Sequence, residues 1–364
     1  MLKLKSGLAA NADEALMVIN NIISDQLSLK LRALSFVAAF CVALLHFGQW
    51  IDEGSVMSAA IKDAIVRGFA FFSVSFFFAV SGFLLARNYA GTMQWWRNML
   101  RKRYHSLLCP YLFWCTFGGV VSVVSSGVTE GWLQEFMHWY GIAITPQNVL
   151  PRFFSMWYVR NLMVLCVVSP LLFLGVDLID RTRVGRLLSL IVILLAMLID
   201  FPLKDQLVMS TLYFCLGIWF AKNYNLVLRQ WNVAGITIAL VVVLLLKCLA
   251  RYWATSCIHQ LHCIMVPIAI AFTWTIYDRL LRIGSFRLVL ESCFAQRIVA
   301  LSFPVYVLHT ALLLYCPMPS GEVLRSCAYP FLMAMLSVAV AYVVMTILRY
   351  ISPVAVKFIM GGRG

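Results

Sequence analysis

Ten apolar stretches near the length of a membrane span constrain this chain more than any motif within it. The hydrocarbon core of a bilayer takes a helix of roughly 17–25 apolar residues. Stretches of that kind fall near residues 32–50, 67–86, 105–126, 155–176, 185–200, 207–221, 232–249, 262–280, 298–315 and 329–348, the sixth being short. Composition agrees, since 62% of the 364 residues are hydrophobic and only 12% are charged, about half the charged share of a soluble domain. The expected fold is all-α: a polytopic integral membrane bundle of about ten transmembrane helices.

Basic residues mark alternate loops, and that alternation predicts orientation. Twenty-one of the 29 lysines and arginines fall on one side of this topology, seven on the other, and Arg160 lies inside a span. Both termini are therefore expected in the cytoplasm. The net charge of +14 reads as topological, which argues against a nucleic-acid partner. Residues 1–30 carry Asp13, Glu14 and Asp25 and lack the charged and apolar regions of a cleavable signal peptide. Leu16, Ile19, Ile23 and Leu27 share one stripe there, which predicts a short amphipathic helix within residues 8–28 at the inner surface. With no internal repeat or linker, the chain divides into a cytoplasmic segment (1–30), a transmembrane domain (31–350) and a short cytoplasmic tail (351–364).

Ionisable groups within the spans are costly, so each is a functional candidate. His46 follows Arg32 by fourteen residues, which on a helix puts the two within about 40° of one face and about 21 Å apart along the axis. Arg160 is expected about 9 Å inside a span that starts on the outer side, and His309 about 18 Å up from Arg297 on the inner side. Three groups from distant helices then share the outer half of the membrane. The plainer reading of either histidine is a hydrogen bond to a neighbouring helix. On the inner side, RNMLRKRYHS places Arg97, Arg101, Lys102, Arg103 and His105 within nine positions. That run suits a phosphate clamp, or marks topology alone. Ser81 and Gly82 are small enough to admit a backbone or a thin ligand.

Six segments in order resemble acyltransferase family 3, the membrane O-acyltransferases of the sugar O-acetyltransferase type: LRALSFVAAFCVALLHF, SFFFAVSGFLLARNY, RYHSLLCPYLFW, MWYVRNLMVLCVVSPL, LYFCLGIWFAKNY and LSFPVYVLHTALL. The resemblance implies transfer of an acetyl group from cytoplasmic acetyl-CoA to a hydroxyl of a sugar, polysaccharide or lipid-linked glycan at the outer side of a bacterial cytoplasmic (inner) membrane. The family's first-helix arginine and histidine fall on Arg32 and His46, the histidine being implicated in catalysis. Thirteen residues separate them here, longer than in typical members by close to one helical turn, so the shared face is kept. Of the family's cytoplasmic arginine pair, Arg103 matches one, and His105 or Ser106 stands at the other.

Chemistry then assigns roles. Removing a hydroxyl proton as its oxygen attacks a thioester suits an imidazole near neutrality, so His46 is the expected general base. Arg160 would stabilise the developing oxyanion or hold the acceptor. Arg32, Ser81, Arg101 and Arg103 are assigned to acyl-CoA, and Trp157 and His309 to the acceptor. Two other classes stay open on the sequence alone: a carrier of an anionic or lipid-linked sugar, and a silent acyl-CoA-binding sensor.

Six cysteines, Cys41, Cys109, Cys115, Cys166, Cys215 and Cys248, lie in spans as small apolar residues. Cys257, His259, His262 and Cys263 have metal-ligand chemistry at too compressed a spacing for an ordinary zinc site, so no metal is expected. Cys316 and Cys327 bracket the outer loop CPMPSGEVLRSC, where an oxidising exterior permits a bridge; the alternative is two free thiols. The bridge is the predicted state: in protein purified without reductant, iodoacetamide should leave both residues unmodified until reduction, and alkylation of both beforehand would refute it.

Overall fold

The computed structural model describes the backbone of residues 2–51, 54, 56–126, 132–140, 153–199, 206–253, 255–315 and 328–362 and, for most of these from Asp25 onward, the side chains. Among the described residues every regular element is helical. In chain order these are α1 (Leu2–Phe47), α2 (Val56–Ile61), α3 (Phe72–Arg87), α4 (Met93–Arg103), α5 (Cys109–Ser126), α6 (Trp132–Trp139), α7 (Met156–Ile179), α8 (Arg183–Met197), α9 (Leu207–Lys222), α10 (Tyr224–Leu228), α11 (Val233–Trp253), α12 (Ile258–Leu280), α13 (Gly284–Glu291), α14 (Cys293–Val299), α15 (Ser302–Tyr315), α16 (Ala328–Ile351) and α17 (Pro353–Ile359).

Among the described residues seven segments are long and apolar enough to span a membrane: Asp25–Phe47, Ser58–Arg87, Met93–Val124, Met156–Ile179, Val233–Arg251, Thr255–Leu280 and Ala328–Ile351. An eighth arises if α14 and α15, bent by 55°, count as one. The other two expected spans are α8 and α9, with 15 and 16 residues. They rise about 22–24 Å, short of a hydrocarbon core of about 30 Å. A second departure lies at the start. The short amphipathic helix expected within residues 8–28 is no separate element; it is the N-terminal part of the 46-residue α1. The Cys316–Cys327 loop lies outside the described residues.

Helix α1 is central, packed by α3, α15 and α16. Its Ala33, Ala38, Ala39 and Ala43 are all buried, and their small side chains let neighbours approach closely, the usual device where lipid supplies no hydrophobic drive between helices. The closest pairing joins α3 to α9. Gly82 sits under the backbone carbonyl of Phe214, and Gly217 under that of Ala79. Of the two uses the sequence leaves open for Gly82, a close backbone or a thin ligand, the structure shows the backbone contact.

Charged groups collect at the two ends of the bundle. At one end Lys30 donates to Asp278 at 2.7 Å with its ammonium 3.7 Å above the Trp274 ring, and Lys222 pairs with Asp177. At the other, Asp63 holds Arg67 at 3.0 Å and Arg251 at 2.5 Å. There the buried Lys62 donates to the carbonyls of Gln49 (2.8 Å) and Ile51 (3.0 Å). Apart from Asp63–Arg67, which lies within one span, these contacts tie different helices together at each end of the bundle.

The two glycines yield a direct test. A methyl group at either position meets a carbonyl on a helix that cannot retreat, and such overpacking costs about 1–3 kcal/mol. Gly82→Val and Gly217→Val should lower the detergent melting temperature by several degrees, whereas Gly175→Ala, with nothing near its added Cβ, should not. Equal melting of all three would refute the close contact.

Candidate active site

His46 occupies the last turn of α1. Its ring stacks on that of His309, with centroids 5.3 Å apart and planes 18° from parallel. Phe154, just before α7, closes over both, 4.5 Å from His46 and 5.9 Å from His309. His309 is fully buried (0% exposed) and reaches this position because α15 begins after the bend at residues 300–301. Pro304 is tolerated in the first turn, where its missing N–H leaves no helical bond unmade. The His309 Nδ1 lies 3.3 Å from the Val305 carbonyl, which can only accept, so that nitrogen carries the proton. One turn earlier, Tyr306 packs 6.0 Å from the His309 ring and donates its hydroxyl to the Ser155 carbonyl. That bond fixes the entry to α7, and with it Phe154.

From the histidines a lane of aromatic and hydroxyl groups runs toward the Lys30 end. Tyr306 lies 5.7 Å from Tyr158. Tyr158 packs on Phe77 (5.6 Å) and Phe78 (4.7 Å), and its hydroxyl is 3.4 Å from Ser81 Oγ. Trp157 reaches Phe78 at 6.0 Å. Ser81 is six residues from Arg87, the end of α3, or about 9 Å of helix.

Basic side chains gather at that end. Arg97, Arg101 and Lys102 on α4 are exposed and Arg103 is half-buried. A π-helical turn, Tyr104–Leu108, follows directly. It is braced from the C-terminus: Gly361, at φ +64°, packs on the backbone of Ser106, and the Trp114 indole donates to the Ile359 carbonyl at 3.2 Å. Trp114 also meets Phe153 at 5.8 Å, so α17, the basic turn and the residues beside His46 share one packed column. Arg32 is exposed on α1, within electrostatic range of Tyr277 on α12.

The structure therefore brings His46 and His309 together, joins Ser81 to Tyr158, and sets Trp157 beside that lane. Arg160 lies on α7 six residues past Phe154, with Nη2 3.4 Å from Asn161 Oδ1 and its charge acting on the Tyr111 phenol. Phe154, Ser155, Tyr158 and Tyr306 were not singled out from the sequence. Tyr306 had a signal, standing three residues before His309 on one helical face. The CIHQLHC run divides between partners: His262 Nδ1 meets the Lys247 ammonium at 3.2 Å and His259 Nε2 lies 3.4 Å from Cys263 Sγ.

Over residues 29–351 the chain matches the family model Acyl_transf_3, an acyltransferase domain. No curated protein and no solved structure matches it. The family match takes in α1 from before Arg32, every candidate span and both histidines, and by it the chain belongs to acyltransferase family 3.

Proposed function

We propose that this membrane acyltransferase moves an acetyl group from acetyl-CoA, bound at the Lys30 end, to a hydroxyl of a glycan or lipid-linked sugar that enters from the Lys62 end. The observation carrying this reading is the stacked pair His46 and His309 at the head of a lane that leads back to a basic mouth. The excess of lysine and arginine in the Lys30-end loops supports placing that mouth in the cytoplasm, and a bacterial inner membrane with both termini cytoplasmic is the setting proposed. Membrane lipid surrounds the spans, and nucleic acid has no part in the reading.

The phosphates of CoA cannot enter hydrocarbon cheaply, so they stay at the mouth with Arg101 and Arg103, and with Arg32 where the donor passes α1. Guanidinium forks suit phosphate bidentately. The thin pantetheine arm follows Ser81 and Tyr158, whose hydroxyls offer hydrogen bonds to its amides, and passes the Tyr306 ring. Its reach of about 20 Å is matched by the roughly 21 Å between Arg32 and His46. At the histidines the acceptor hydroxyl gives its proton to His46 as its oxygen attacks the thioester carbonyl, and the imidazolium returns that proton to the departing thiolate. His309 holds His46 by ring stacking and, with Trp157, shapes the acceptor's side of the chamber. Arg160, turned toward Tyr111, is assigned to the acceptor.

Two measurements test this reading. His46→Ala should lower acetyl transfer by about 10²–10⁴-fold, the usual share of a general base, while acetyl-CoA still binds. Near-normal turnover would remove His46 from that role. Arg101→Ala combined with Arg103→Ala should weaken CoA binding about tenfold at low salt, with the gap narrowing as salt screens the contact. Identical affinity at all salt concentrations would return the basic run to a purely topological role.

A further inference from the structure

Ser155 stands at the entrance to α7, in the position that usually caps a helix, yet its side chain makes no capping hydrogen bond. A serine there ordinarily accepts from an N–H of the first turn, which is why the residue is favoured at that position. Here its backbone is already helical (φ −60°, ψ −24°), which takes the hydroxyl away from that geometry. The residue is 2% exposed, and its Oγ has no hydrogen-bond partner among the described residues. An unpaired buried hydroxyl is unfavourable, and a native fold usually keeps one for a reason.

Its surroundings suggest that reason. The preceding residue, Phe154, touches both histidines, and the Ser155 carbonyl is pinned by Tyr306. The hydroxyl thus sits one residue from the ring that packs on both histidines, on a backbone held by Tyr306. It also stands at the positive end of a 24-residue helix, where partial positive charge favours an anion.

We propose that the Ser155 hydroxyl, with the N-terminus of α7, is the oxyanion site of the acyl transfer. The inference rests on the acetyl-CoA reading above and moves transition-state stabilisation from Arg160 to Ser155. As the acceptor oxygen bonds to the thioester carbon, the carbonyl π pair moves onto its oxygen, and His46 takes the acceptor proton. The oxyanion receives the Ser155 O–H hydrogen bond. When the pair returns, the carbon–sulfur bond breaks and the thiolate takes the proton back from His46, leaving the ester and free CoA. Ser155 neither gains nor loses a proton over the cycle.

Membrane vesicles carrying the full-length chain, or its variants, are supplied with radiolabelled acetyl-CoA. Label incorporated into glycan and label released as acetate are counted together, per acetyl-CoA binding site. Ser155→Ala should lower turnover by about 10²–10³-fold, the loss typical of one oxyanion donor, with acetyl-CoA affinity within about twofold of wild type. Ser155→Cys, similar in shape and a weak donor, should fall between and serves if the alanine protein does not fold. Turnover of either variant within threefold of wild type, with His46→Ala inactive, would overturn the oxyanion site and leave the acyltransferase reading standing. A wild-type chain that transfers no label, despite binding acetyl-CoA, would overturn both.

Discussion

Hydrocarbon does not solvate charge, and each ionisable group held at membrane depth must find its partner inside the protein. The arrangement of this bundle follows from that demand. Lys30 takes Asp278 and the face of Trp274, and Asp63 takes two arginines. Lys62 takes two carbonyls at the end of the first span, and Lys247 takes the Arg67 carbonyl at 2.5 Å and His262 at 3.2 Å. These contacts bind α1 to α12, and the start of the second span to α11 and α12. With the ends secured, the interior between them can carry groups chosen for chemistry. His46 and His309 have ring contacts with each other and with Phe154 and no acidic partner among the described residues. A neutral imidazole pair is compatible with such a place, whereas an unpaired lysine is not.

The outline of the fold was legible because the signal is crude and strong. A run of about twenty apolar residues has few alternatives to a span, and the helices appear where hydropathy puts them. Finer features depended on neighbours. The 15-residue α8 and 16-residue α9 read as spans by composition, although their length falls short. Gly82 left backbone and ligand both open because its partner, the Phe214 carbonyl, lies 132 residues away in sequence. Helix arithmetic placed His46 and His309 in one layer correctly, since depth along an axis follows from residue count alone. For Arg160 the same arithmetic gives a depth but no direction about the axis, and its guanidinium meets Asn161 Oδ1 and acts on the Tyr111 phenol.

Phe154 and Ser155 show the deeper limit. They precede a helix and carry no periodic pattern, so nothing local distinguishes them from ordinary entrance residues. Their importance comes from Tyr306, 151 residues onward, whose hydroxyl holds the Ser155 carbonyl. The π-helical turn after Arg103 is a similar case: it lies beside the position where the resemblance expects a second arginine, and the brace on it comes from Gly361 at the far end of the chain. A π-turn of this kind often marks a functional site, and here it directly follows the basic run of α4.

The proposed reaction makes a spatial claim: one donor bound along the lane, with its nucleotide at the basic mouth and its reacting carbon at His46. A cryo-electron microscopy structure of the protein with a thioether analogue of acetyl-CoA, which cannot transfer its acyl group, tests that claim most directly. The account predicts density for the phosphates against Arg101 and Arg103, for the pantetheine arm past Ser81 and Tyr158, and for the sulfur beside His46 and Ser155. An analogue bound with its sulfur on the far side of α3 and α9, or reaching the histidines from the Lys62 end, would contradict it.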